Sequence, residues 1–324
     1  VTIDLDEGAG IGSWDLRAAR HALTGVLRRR PEAYHDTLRE HERQVAAEAS
    51  VAAAAAGATP SGASPGGSSE PAAGSRSGAG AASIHDRVQV KEAGLGAYLV
   101  YDDYERRSGL VRILPADANA ASWGAGGRAE LADLATGPFK LDRLGAEEVV
   151  VSRDGKATID RQEVPLSVET QIRLGGGRLD PLLEWSTTIE NRGDRALVAR
   201  IGVEWAITML GGGGNPDAWW EIAGERARHD GAGASSGIER VAQGNAWLGM
   251  ELASTIEPAA DAWHAPIETV SNSEAGFERV YQGSALLLSW PLSLAPGARW
   301  SASITHRAYV AVDRAVDEAV GQSA

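Results

Sequence analysis

Between Pro266 and Gln282 the chain reads PIETVSNSEAGFERVYQ, which sets Glu268, Glu274 and Glu278 beside Phe277 and Tyr281 among amides and hydroxyls. Carboxylates and amides bond hydroxyls in the plane of a pyranose while aromatic faces cover its C–H side, so the cluster points to carbohydrate contact. The competing reading is a solvated polar loop ahead of a core strand. Glycoside chemistry needs two carboxylates about 5 to 10 Å apart, and spacing along the chain does not fix that separation for Glu204, Glu268, Glu274 or Glu278. Tryptophan gives a second signal, with ten present against two Phe. Trp219-Trp220, Trp123 and Trp263 fall in expected loops, where an indole serves either as a sugar platform or as local packing. Trp185, Trp205, Trp290 and Trp300 are expected in the core. The candidates for carbohydrate binding or a domain interface are therefore Trp219, Trp220, Trp263, Glu204, Glu268, Glu274, Glu278 and Tyr281.

Beyond Ser83 the elements that must position these residues have a period of two. Leu197, Ala199, Ile201, Val203, Trp205, Ile207 and Met209 are apolar at alternate positions, with Arg200, Glu204 and Thr208 on the other face. The same alternation marks Val168–Leu174, Leu183–Ile189, Ala246–Leu252 and Trp300–Val312. Turn chemistry separates them at Gly175-Gly176-Gly177, Asn191-Arg192-Gly193-Asp194 and Pro296-Gly297. Long strands with one polar face imply stacked antiparallel sheets. Upstream, Asp15–Glu48 is rich in Arg, Ala, Leu and Glu, and short helices are expected there, with Pro31 opening a new one. Ala46–Ala82 is almost wholly Ala, Gly, Ser and Pro, without an aromatic anchor, and reads as a disordered insertion whose Ala run is transiently helical.

Other chemistry finds little footing. Gly211–Gly214 lacks the Lys-Ser or Lys-Thr and the following helix of a phosphate loop. Seven His show no HxH or HExxH spacing, there is no GxSxG, and no cofactor or metal is indicated. A formal charge of -13 argues against nucleic acid as a partner. The absence of Cys removes disulfides and thiol chemistry. No apolar run spans a membrane, VTIDLDEGAG shows no signal peptide, and a cytoplasmic location is expected.

Four stretches together, RRPEAYH (Arg29–His35), SIHDRVQVKEAGLGAYLVYDDYERRS (Ser83–Ser108), VEWAITMLGGG (Val203–Gly213) and PIETVSNSEAGFERVYQGSALLLSWPLSLAPG, resemble the C-terminal region of glycoside hydrolase family 57, in particular its 4-α-glucanotransferase and α-amylase members. The resemblance runs in order over nearly the whole chain apart from the insertion. It implies a β-sandwich of the galactose-mutarotase-like supersandwich type that follows a catalytic barrel. It also implies that the family's Glu nucleophile and Asp acid/base lie on that barrel, so no catalytic residue is carried over. No segment here alternates strands and helices for the roughly 200 residues or more a barrel needs. Val1–Arg17 reads as a strand and turn already under way. Residues 1–324 are thus expected to form a single sandwich domain, a fragment lacking an upstream catalytic barrel. The Gly-rich turn after VEWAITML departs from the family pattern and leaves the placement of Trp219 and Trp220 open.

Three functions follow as expectations. The first is a non-catalytic C-terminal domain of an α-1,4-glucan-processing enzyme, supporting the barrel in the same polypeptide and binding α-1,4-glucan or maltooligosaccharide. The second is a free-standing mutarotase-like or lyase-like catalyst using Glu204 or Glu278 with a His. The third is a structural or dimerising module, with a homodimer as its partner.

Overall fold

Alternating apolar residues become strand wherever one face can be buried, and the computed structural model, which describes residues 1–57, 89–124 and 130–311, is mainly β. The chain opens with two short antiparallel pairs, β1 (Thr2–Asp4) with β2 (Gly10–Ser13) and β3 (Asp15–Leu16) with β4 (His21–Ala22). Helix α1 (Tyr34–Gly57) is followed by β5 (Leu110–Leu114), the short helix α2 (Ala120–Gly124), β6 (Lys140–Leu144), β7 (Glu148–Ile159) and β8 (Gln162–Gly176). Then come β9 (Pro181–Asn191), β10 (Leu197–Ile207), β11 (Ala218–Ile222), β12 (Glu225–Arg228), β13 (Gly233–Asn245), β14 (Met250–Ser273), β15 (Gly276–Leu294) and β16 (Arg299–Val310).

From β5 onward the strands join one 12-stranded antiparallel sheet that folds into two layers. One layer runs β12-β11-β13-β14-β16-β9-β8-β7-β6, and in the other β10 pairs with β5 and β15. The layers are connected because β15 also pairs with β14. The β13–β14 ladder breaks register between Ser235 and Arg240, opposite the cis Glu257–Pro258 bond, and such bulges bend long strands. The inner faces meet where Trp205 of β10 packs edge-on against Trp185 of β9 at 6.1 Å and His306 of β16 at 4.1 Å between ring centroids. All three are buried. Gly109, at φ +77°, leads into β5 where a Cβ would lie 2.9 Å from Trp185 Nε1, so only glycine fits both the backbone and the space.

The chain divides into two compact units, one of Val1–Arg30, Val100–Glu268 and Tyr281–Ala324, the other of Pro31–Leu99 and Thr269–Val280. In the second, Leu38, Leu95, Val270 and Phe277 form a small core flanked by Tyr34, Val90 and Leu99. No helix among the described residues is long and apolar enough to cross a membrane.

Several expectations change here. The helices near the N-terminus are dominated by a single one of 24 residues, and Asp15–Ala22 is strand and turn. Pro31 stays outside that helix, His35 Nδ1 accepts from the Glu32 backbone N–H at 3.1 Å, and Ala, Glu and Arg propagate it. The stretch expected to be a disordered insertion begins inside α1, because its Ala run continues a helix already nucleated upstream; residues 58–82 lie outside the described residues. Ala246–Gly249 is a turn where a strand was expected, with Asn245 Oδ1 accepting the Leu248 N–H at 3.0 Å and Gly249 at φ +60°.

Candidate functional site

The PIETVSNSEAGFERVYQ stretch is a hairpin where the charge pattern pointed to a loop. β14 runs to Ser273, the turn is Glu274-Ala275, and β15 starts at Gly276. Val270 and Phe277 decide this, because their burial in the second unit's core holds the hairpin end in register. Glu274 is exposed at the turn and Glu268 is half-buried on β14. Glu278 pairs with Lys91, which holds its carboxyl below the usual range.

Glu204 lies on β10, opposite Trp205, at the position expected to face solvent, yet it is 0% exposed. Its face of the strand is covered by the segment leading into β5 and by α2. Arg106 Nη1 donates to Oε1 at 2.6 Å and Arg112 Nη1 to Oε2 at 2.5 Å. Tyr104 Oη donates to both oxygens at 2.7 and 2.9 Å, and Trp123 Nε1 reaches Oε2 at 3.3 Å. The network continues to Asp102, which pairs with Arg106 and accepts from Arg29 Nη2 at 2.7 Å. The Arg112 guanidinium also lies over the Tyr104 ring, 4.2 Å from its centroid.

Burial raises the Glu204 carboxyl, but Arg112 and Arg106 outweigh it and the net direction is down. At Asp102 burial is likewise overcome by Arg106 and Arg29, which hold the group at about 2. Glu130 behaves oppositely: burial lifts it to about 7 although Arg112 Nε donates to it at 2.6 Å. Glu204 is therefore a permanently charged anchor at neutral pH and a poor proton acceptor.

Tyr281 enters a second buried cluster, where its hydroxyl lies 2.7 Å from His229 Nδ1 and 2.9 Å from Ser284 Oγ. His229 Nε2 meets Gln243 Oε1 at 2.9 Å, so the neutral ring donates there and accepts from Tyr281. Burial lowers this histidine to about 4, with Gln243 pulling the other way. Trp220 stacks on His229 at 4.5 Å with planes 8° apart and donates Nε1–H to the His229 carbonyl at 3.2 Å.

Of the tryptophans expected in loops, Trp219, Trp220 and Trp263 are on strands and Trp123 is on α2. Trp220 is fully buried on β11 and presents no face to a sugar, because its alternate position points into the core. Trp263 is 6% exposed on β14, under the Arg200 guanidinium at 4.9 Å. Trp219 is half-buried, lying against Gly244 with Arg226 4.1 Å from its ring centroid. Trp123 is on α2 and bridges Glu204 to Trp263, whose ring centroid is 6.4 Å away. The exposed indole that sequence reasoning missed is Trp247, 75% exposed in the β13–β14 turn. Asn245 and Gly249 on either side of it were the available turn signal. Among the described residues no group of three or more His, Asp or Glu is placed to hold a metal ion.

Comparison with known proteins agrees with this architecture. The family model described as alpha-amylase/4-alpha-glucanotransferase, C-terminal, matches residues 1–59 and 68–304. Alpha-amylase 1 of Dictyoglomus thermophilum is 27% identical over 314 residues, covering 92% of this chain and 37% of that protein. The crystal structure of 4-alpha-glucanotransferase from Thermococcus litoralis superposes with a TM-score of 0.61 at 16% identity, over 95% of this chain and 36% of that one. A putative aldose 1-epimerase from Escherichia coli K12 gives a TM-score of 0.45 at 11% identity, over 63% and 84% respectively. This chain thus spans little more than a third of the length of the amylase and the glucanotransferase.

Proposed function

The chain belongs to the alpha-amylase/4-alpha-glucanotransferase C-terminal family of glycoside hydrolase family 57, and from that premise we propose that it is the non-catalytic C-terminal part of a polypeptide that processes α-1,4-glucan. Its role in this reading is to support a catalytic barrel and to contact glucan. The match across residues 1–59 and 68–304 carries the reading. The state of the carboxylates supports it over a mutarotase-type catalyst. Glu204 is buried with both oxygens in ion pairs, and Glu278 is neutralised by Lys91. The ring nitrogens of His229 are both engaged within the core. Trp247 supplies what glucan contact requires, an open indole face beside a turn.

Calorimetric titration of the chain with maltooligosaccharides tests this. The expected result is a millimolar dissociation constant, about -4 kcal/mol, weakened roughly tenfold in Trp247→Ala by loss of about 1.4 kcal/mol of stacking. Absence of heat for the unmodified chain would leave it a purely structural role.

A further inference from the structure

Beside the Glu204 network is a cavity of about 180 Å³, walled by Tyr101, Asp102, Tyr104, Arg106, Arg112, Trp123, Glu130 and Asp133 among others. Its volume is several times the roughly 30 Å³ of a liquid water and below the about 300 Å³ at which drug-sized sites begin. It is of a size to take one sugar ring.

The wall chemistry narrows what that ring is. Arg106 and Arg112 are already held by Glu204, Asp102 and Glu130, while Asp102, Asp103, Glu130 and Asp133 all border the space. Asp102 and Asp133 are paired in turn with Arg29 and Arg153, so the guanidiniums at this wall are already matched by carboxylates and the site offers an anion no surplus positive charge. Two of the residues that line it carry a buried polar atom, Arg106 Nε and Glu130 Oε1, with no hydrogen-bond partner among the described residues. One is a donor and the other an acceptor, and such orphans are rare unless water or a ligand completes them. A hydroxyl accepts from the first and donates to the second, and a neutral polyhydroxylated ring carries several. Trp123 and Tyr101, both half-buried, supply flat apolar surface at the same wall.

We propose that this cavity binds a single neutral hexopyranose unit, either a free monosaccharide or the terminal residue of an α-glucan, held by Trp123 and the Glu130–Arg112–Arg106 wall. The proposal rests on the carbohydrate-linked reading above and adds to it a site apart from the exposed Trp247 surface. The network around Glu204 acquires a purpose from this: it fixes two guanidiniums and an indole rigidly enough to orient hydroxyls without contributing net positive charge.

The test follows the Trp123 indole N–H by NMR in the whole chain, identified by its loss in Trp123→Phe, during titration with D-glucose and, separately, maltotetraose. Thr136→Trp, an exposed position on the cavity rim, blocks entry without touching the buried network, and circular dichroism verifies its fold. The expected result is a saturable millimolar shift of the Trp123 signal that Thr136→Trp weakens at least tenfold. A response to glucose alone identifies a free monosaccharide as ligand, and a response to both identifies the terminal unit of a glucan. Calorimetric binding of maltotetraose with an unmoved Trp123 signal, unchanged in Thr136→Trp, overturns the cavity site while the glucan reading stands. An unmoved signal with no heat from either sugar overturns both.

Discussion

At the residue scale, the decisive group is Glu204, a carboxylate buried with two guanidiniums, a phenol and an indole on its oxygens. A buried charge is tolerable only when its partners are equally fixed, and removing one side leaves the other uncompensated. Glu204→Gln keeps shape and removes charge, so it should destabilise the chain by roughly 3–5 kcal/mol, read as a fall in the urea midpoint. A loss below about 1 kcal/mol would equate the network with surface ion pairs. The residue was singled out from sequence, but its role was not readable there. Arg106 and Arg112 lie 98 and 92 positions away, and alternation along β10 assigns Glu204 to the face opposite Trp205 without revealing that this face is covered too.

At the element scale, α1 and the β14–β15 hairpin end show how local pattern and tertiary burial combine. The helix lies in a sequence with strong helix formers and i,i+3 ion pairs Asp36–Arg39 at 2.8 Å and Glu40–Arg43 at 3.1 Å. Its anchor is Leu38, 0% exposed among Leu95, Val270 and Phe277. Leu38→Ala should cost about 2–5 kcal/mol and lower hydrogen-exchange protection in both α1 and Thr269–Val280. Loss of protection in α1 alone would show that the hairpin end holds its structure independently. The strands themselves were legible because a period of two survives in any one-sided sheet, as in β8 and β9. The hairpin was hidden by its charges: Glu268, Glu274 and Glu278 mask the three apolar residues that bury, Ile267, Val270 and Phe277.

At the scale of the whole molecule, buried titratable groups set the response to acid. Burial keeps His229 neutral down to about 4 and His306 down to about 3, whereas both take up protons near 6.5 when unfolded. The unfolded chain then binds more protons across that window, so stability is intact above about 6.5 and falls as pH drops toward 4, by up to about 3 kcal/mol for His229. Glu130 opposes this, since a carboxyl raised to about 7 favours the folded state increasingly as pH falls from 7 to the ordinary 4.5. Glu130→Gln should therefore steepen the acid loss of urea stability, and an unchanged slope would remove Glu130 from the balance. The sequence by itself determined the mainly β class, the family, the acidic charge of -13 and the absence of thiol chemistry, because periodicity, motif order and composition are properties of the chain read locally. Only the tertiary structure decided which aromatics and carboxylates meet solvent. It buried Trp220, Trp263 and Glu204 and left Trp247 in the open, because burial depends on which distant strands and segments come to cover a face, and that pairing is not recorded in the spacing of neighbours.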